Sequence, residues 1–247
     1  YEFTWNDFCD WYVEFAKQRF NNKETNNRQI SEKVLIKVLN DILVMIHPFM
    51  PHITEELWHV LQLKSDKELL SLQKWPTQEN KFVDNKLDNS FQQLFEIIRL
   101  IRNLRAELGL KPSEKVPVYL ISDNDELIDF LKILVDDIQT LTKSSEVFIF
   151  KPNAVDKKEF AKSFSGIISD LEVYLPFQDF VNMDALKERL NKDLKKVTIE
   201  LDNLNKRLSN KNFVDKAPKD IVDECRFKLN EGSVQMERIT KKLELLN

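Results

Sequence analysis

The chain has 247 residues, 42% of them hydrophobic and 10% aromatic, with a formal net charge of −4. That is enough apolar material for one large domain or two moderate ones, and it excludes wholesale disorder. Three isolated glycines, Gly109, Gly166 and Gly232, cannot build a phosphate-cradling loop, and no run of 18 apolar residues is present to span a membrane.

In chain order, Trp5, Phe8, Trp11, Tyr12 and Phe15 form a bulky apolar stripe at helical spacing. The Asn-rich stretch Asn21 to Asn27 reads as a loop, and Ser31 is placed to cap the next helix. Val34, Leu35, Val38, Leu39, Ile42, Leu43 and Ile46 line one side of that helix, which Pro48 ends. Pro51 then opens a short helix carrying Leu57, Trp58 and Leu61. After a loop to about Asp84, Phe91, Leu94, Ile98, Ile101, Leu104, Ala106 and Leu108 mark another helix, terminated by Gly109 and Pro112.

From about residue 113 to 180 the pattern changes to a small α/β connector. Val116 to Ile121 and Val147 to Phe150 read as strands, with a helix between them on Leu127, Phe130, Leu131 and Leu134. Phe164 to Ile168 and Leu171 to Phe177 read as a hairpin turning at Ser169 and Asp170.

The last sixty-odd residues carry two heptad-spaced apolar sets. The first is Leu186, Leu190, Leu194, Val197, Leu201, Leu204 and Leu208. The second is Val222, Cys225, Leu229, Gly232, Met236, Ile239, Leu243 and Leu246. Ser209 and Asn210 end the first helix and Pro218 suits the first turn of the second, so the segment is expected to fold as an antiparallel coiled-coil hairpin. Gly232 inside the second helix points to close approach of the partner around Leu194 to Val197. From Asp184 to Asn247 there are 15 Lys/Arg against 12 Asp/Glu, a net of +3; the remainder holds 22 against 29, a net of −7. A mildly basic arm on an acidic body is compatible with a polyanion partner.

The fold expected is therefore mainly α: a helical bundle over 1–112, the connector over 113–180 and the hairpin over 181–247. Cys9 and Cys225 have neither C-x-x-C spacing nor a nearby histidine, which fits reduced packing thiols in a reducing, cytoplasmic compartment. No signal peptide opens the chain, and Tyr1 in place of Met fits a piece of a longer protein.

His47-Pro48-Phe49-Met50-Pro51-His52-Ile53-Thr54-Glu55-Glu56-Leu57-Trp58 is the most patterned stretch of the first half. Two histidines beside Glu55 and Glu56 raise a metal site. The prolines put them on a turn instead of one helix face, and H-E-x-x-H is absent. A structural corner, with Phe49, Leu57 and Trp58 packed inward, is the alternative.

This stretch resembles the proline corner of the anticodon-binding bundle in class I aminoacyl-tRNA synthetases that handle aliphatic amino acids. Glu2-Phe3-Thr4-Trp5-Asn6-Asp7-Phe8-Cys9-Asp10-Trp11-Tyr12 and Ile101-Arg102-Asn103-Leu104-Arg105-Ala106-Glu107 are similar to bundle helices of the valyl-tRNA synthetases. The hairpin, with Leu208-Ser209-Asn210, Phe213-Val214 and Lys216-Ala217-Pro218, resembles the coiled-coil arm peculiar to that family. The corner alone would leave the isoleucine and leucine enzymes open; the arm argues against them.

The resemblance implies that the bundle grips the anticodon of a valine-specific tRNA and the arm reaches the elbow where the D and T loops meet. Catalytic and editing domains would lie upstream, since nothing here looks like H-I-G-H or K-M-S-K-S. No cofactor is expected in this stretch, with ATP and Mg²⁺ serving the full-length enzyme, and neither DNA nor membrane is an expected partner. The chain is expected to be a monomer. For the anticodon, Asp10, Val13, Glu14 and Lys17 share a helix face and Arg99, Arg102 and Arg105 recur every three residues as a basic stripe. The plain alternatives are a solvated face and intramolecular pairs with Glu96 or Glu107. For the elbow, Lys206, Arg207, Lys211, Lys216 and Lys219 gather near the tip, with Arg226 and Lys228 on the returning helix. Phe213 either closes the end of the coiled coil or stacks on an exposed base pair. A coiled-coil protein-interaction module without RNA is the principal rival. An independent enzyme lacks any Ser/His, Cys/His or clustered-carboxylate constellation.

Overall fold

The computed structural model describes residues 1–21, 25–62, 68–78, 80–177, 183–210, 213–214 and 217–246. It divides into two compact units, Tyr1–Asp88 and Asn89–Asn247. It is mainly helical, with one small four-stranded sheet.

In the first unit a π-wound segment, Phe3–Tyr12, runs directly into α1, Val13–Asn21. Phe8, Trp11 and Phe15 are buried as the stripe requires, but Trp5 is 59% exposed. Bonds of the i→i+5 kind, such as Val13 N–H to the Phe8 carbonyl, turn the chain less per residue than an α-helix does. Trp5 is thereby carried off the buried side and stacks on Tyr1 instead, ring centroids 6.5 Å apart. Helix α2, Thr25–Ile46, starts earlier than the Asn-rich composition implies. Ser31 is consequently a buried residue inside the helix and not its cap, and its carbonyl accepts a hydrogen bond from the Tyr12 hydroxyl at 3.3 Å.

Pro51 opens α3, Pro51–Gln62. Trp58 is 2% exposed, in a core with Leu43 and Leu70, whereas Phe49 is 85% exposed and Leu57 45%, so the inward packing expected of these two does not occur. Polar groups tie the corner instead. His47 Nδ1 lies 2.8 Å from the Thr54 hydroxyl, which donates to the Met50 carbonyl. The Glu55 carboxylate accepts the Leu70 N–H at 2.8 Å and lies 3.2 Å from His59 Nε2. His47 and Glu55 are thus engaged in holding the turn and the segment around Leu70. No group of three possible metal ligands occurs among the described residues.

Helix α4, Asn85–Leu108, buries Leu94, Ile97, Ile98, Ile101, Leu104 and Leu108. Its end is a Schellman turn: Leu110 N–H bonds the Arg105 carbonyl, Gly109 N–H bonds that of Ala106, and Gly109 sits at φ 72°. The sheet follows, with strands β1 (Val118–Ser122), β2 (Val147–Phe150), β3 (Ser163–Ile168) and β4 (Leu171–Pro176) in the order β2-β1-β4-β3. β1 and β2 are parallel, joined through α5 (Asp125–Ile133) and α6 (Val135–Thr142); the other pairs are antiparallel. The single helix expected there is broken at Leu134, where φ −110° and ψ 16° leave the helical region. Asn124 caps α5 by accepting the Leu127 N–H. Ser169, at φ 51°, turns the β3–β4 hairpin where the sequence placed it.

On β4 the Tyr174 hydroxyl donates to the Glu172 carboxylate at 2.6 Å. Burial first, and this bond to a carboxylate second, push the phenol up to about 12. Between about pH 10 and 12 the folded chain holds a proton that the unfolded chain releases. The stability it contributes is present below pH 10 and is lost as the pH rises through 12. Urea unfolding at about pH 9 and pH 11 is expected to show a smaller alkaline loss for Tyr174→Phe than for the parent chain; equal losses would contradict the assignment.

The chain closes with α7, Met183–Ser209, and α8, Lys219–Leu245. Each has 27 residues, about 40 Å of helix, and the two pack against each other as an antiparallel hairpin. Leu186, Leu190, Val197 and Leu201 are buried on one side of the seam, and Val222, Cys225, Ile239 and Leu246 on the other. A Cβ on Gly232 would lie 2.8 Å from Leu201 Cδ2. Close approach is therefore the reason for the glycine, but Leu201 is the neighbour, not Leu194 to Val197. The helices pair about one turn nearer the tip on α7 than symmetrical folding about the connector would give.

Candidate nucleic-acid interface

The far end of the hairpin is built from short-range turns. Helix α7 stops at Ser209, where Asn210 N–H reaches back only to the Arg207 carbonyl at 3.2 Å. Phe213 and Val214 N–H both bond the Asn210 carbonyl, and Ala217 N–H bonds that of Phe213. Pro218, at ψ 139°, is extended and stands at the N-cap of α8. These turns hold Phe213 half-buried against the coil, with the Arg207 guanidinium 4.9 Å above its ring. The tip thus presents a cation lying on an aromatic face.

Lys206, Arg207, Lys219, Arg226 and Lys228 are all exposed. Arg226 pairs with Asp223 at 3.3 Å and Lys228 with Glu224 at 2.6 Å, each within its own helix. The bond to Glu224 raises the Lys228 pKa, so this side chain carries its full charge. Exposed pairs of this kind contribute little and are readily exchanged for a phosphate. Arg207 and Lys228 also line one groove with Glu200, Glu231 and Gly232. Lys211 and Lys216 lie outside the described residues.

The bundle candidates fare unevenly. Asp10 and Lys17 are exposed, and Val13 and Glu14 are half-buried beside them. Lys17 is paired with Glu14 at 2.5 Å, so part of this face is already joined to itself. The stripe of three arginines is broken. At 100° per residue, two steps of three turn Arg105 about 120° away from Arg99, onto the side of α4 that carries Leu104 and Leu108. Arg105 is 6% exposed, and its Nη2 donates to the Glu114 carbonyl at 2.7 Å and the Lys111 carbonyl at 3.3 Å. Burial lowers its pKa, and Glu114 opposes that shift. Arg105 shapes the turn after α4 and is not part of a surface stripe. Arg102 is exposed, with its Nε donating to the Leu141 carbonyl at 3.0 Å, and Arg99 is exposed. Glu107, named with Glu96 as an alternative partner for the stripe, is bound by Lys242 at 2.6 Å.

The family model for the anticodon-binding domain of tRNA ligases matches residues 1–120, and that for the valyl tRNA synthetase tRNA binding arm matches residues 182–247. Valine–tRNA ligase of Prochlorococcus marinus subsp. pastoris is 72% identical over 246 residues, covering 100% of this chain. The chain belongs to the valine–tRNA ligase family. The ligases of Synechocystis sp. and Thermotoga maritima are 38% and 35% identical over 251 residues, covering 100% and 99% of the chain. The chain spans 27% of the length of each of these relatives. In family terms, the tip cations and Phe213 stand within the stretch that matches the tRNA-binding arm, and Asp10 to Lys17 within the stretch that matches the anticodon-binding domain. Arg189 and Lys242, on the outer flanks of the arm near its base, escaped the sequence reading, because heptad spacing marks seam residues and is silent about what a flank touches.

Proposed function

We propose that this chain is the tRNA-gripping part of a valine–tRNA ligase, holding a valine-specific tRNA at two distant places. Anticodon contacts are assigned to the face of Asp10, Val13, Glu14 and Lys17 in the first unit and, as a separate set, to Arg99 and Arg102 in the second. The arm takes the elbow, through Lys206, Arg207, Lys219, Arg226 and Lys228, and through Lys211 and Lys216 of the connecting sequence. The observation that carries this reading is the match of a tRNA-binding arm to a hairpin whose tip gathers exposed cations around Phe213. Phosphate contacts position and aromatic faces stack, which is the chemistry a folded RNA offers.

In the whole ligase, ATP and Mg²⁺ supply the energy and the charge neutralisation for joining valine to its tRNA. The same enzyme removes mischarged threonine, because an apolar pocket discriminates weakly against an isostere. This part acts by positioning: anchoring the tRNA at two points holds its acceptor end in register with a distant centre. The molecule works as a cytoplasmic monomer.

Filter binding with a tRNA transcript tests the reading. The expected result is binding that weakens steeply with salt, by several phosphates' worth of counterion release, and a much weaker affinity for duplex DNA of equal length. Absent or salt-insensitive binding would favour the protein-interaction module instead.

A further inference from the structure

The base of the arm is fastened to the end of α4. Arg189, on α7, donates from Nη2 to the Ala106 carbonyl at 2.8 Å and to the Glu107 carbonyl at 3.3 Å. These are among the last carbonyls of α4, where the helix carries its partial negative charge, so a guanidinium is well placed there. From the other arm helix, Lys242 Nζ reaches Glu107 Oε2 at 2.6 Å and lies 5.5 Å from the centre of the Phe164 ring on β3. Lys242 is 22% exposed and Glu107 42%. Both helices of the hairpin are therefore tied to one turn of α4, from two sides.

Gly109 makes room for this joint. It sits at φ 72°, and a Cβ there would lie 2.6 Å from Arg189 Nη1. The easiest relief of that clash is to displace the flexible guanidinium, which breaks its bonds to the helix end. The joint links residues 106–109, inside the stretch matching the anticodon-binding domain, to residues 189 and 242, inside the stretch matching the arm.

We infer that Arg189, Lys242, Glu107 and Gly109 form a rigid joint that fixes the direction of the arm, and that they are positioning residues for tRNA binding. This rests on the two-point reading above. A second contact adds affinity only when geometry lets it form together with the first, through effective concentration. An arm free to swivel keeps its tip chemistry and loses much of that advantage.

The test uses the 247-residue chain with spin labels at Ser209 and Lys132, both exposed and both in the second unit, and with Cys9 and Cys225 replaced by Ala. Distance distributions by electron double resonance are expected to be narrow in the parent and broad in Arg189→Met/Lys242→Met. Whole-tRNA affinity should fall about tenfold in that variant, while affinity for an isolated elbow hairpin RNA stays unchanged. Glu107→Lys combined with Lys242→Glu should restore the affinity lost by Lys242→Glu alone, which a merely destabilising change would not do. Lys242→Met alone, the milder variant, keeps the test open if the double variant does not fold. An unchanged distance width, or unchanged tRNA affinity with a broadened width, would overturn the joint and leave the tRNA reading standing. Failure of the parent chain to bind tRNA would overturn both.

Discussion

Alanine at Lys206, Arg207, Lys219 and Arg226 together is expected to weaken tRNA binding about a hundredfold at roughly 0.1 M salt and to flatten its salt dependence. All four are exposed near the far end of the hairpin, outside the seam of Leu201, Val222 and Cys225. Their loss should therefore leave the helices intact. Each cation that meets a phosphate releases about one counterion, so the slope of log affinity against log salt should drop by roughly 0.7 to 0.9 per lost contact. Removing Arg207 also uncovers the Phe213 ring that it shields. The matched control replaces Lys187, Lys192, Lys195 and Lys196, nearer the base of α7. It removes the same charge and should cost only a few-fold in affinity through the general field of the protein. Equal losses from the two sets, measured by filter binding over a salt series, would refute a contact at the tip.

Leu120→Ala is expected to destabilise the second unit by about 3–5 kcal/mol. Leu120 is fully buried on β1, paired with Ile149 of β2 on one side and Val173 of β4 on the other. Truncation there leaves a cavity in the middle of the sheet, and the two flanking strands hinder collapse around it. All four tryptophans, Trp5, Trp11, Trp58 and Trp75, lie in the first unit. Tryptophan fluorescence consequently follows one unit and far-ultraviolet circular dichroism follows both. In urea, part of the dichroism transition should move to lower concentration while the fluorescence midpoint stays in place. A loss under about 1 kcal/mol, or two midpoints moving in step, would refute the expectation.

The parts of this molecule legible in its sequence are those where one face is buried along a regular element. The hairpin was readable because Leu186, Leu190, Val197 and Leu201 recur at seam spacing and Ser209 and Pro218 bracket the turn. The β3–β4 hairpin was readable because Ser169 and Asp170 interrupt two β-rich runs. Winding was not legible: the letters from Phe3 to Tyr12 suit an α-helix equally well, and Trp5 was assigned to the wrong side for that reason. Composition misled at Thr25–Ser31, where packing of Ser31 beside Tyr12 extends a helix through asparagines. Among the site candidates, exposure followed from helix faces, but the partners of Arg105, Arg189 and Lys242 depend on contacts across long stretches of sequence, which no local spacing encodes. That is why Arg105, which is buried, does not lie on the exposed stripe expected of it.

The notch at Gly232 bears on how the arm transmits force. Leu201 occupies the space that a side chain at 232 would fill. Sliding one helix along the other by seven residues would lift Leu201 out of this gap and set it against a neighbour with a Cβ. The hairpin therefore resists shear at its midpoint, and a push on its tip by a tumbling RNA arrives at the base as in a strut, undiminished by slippage.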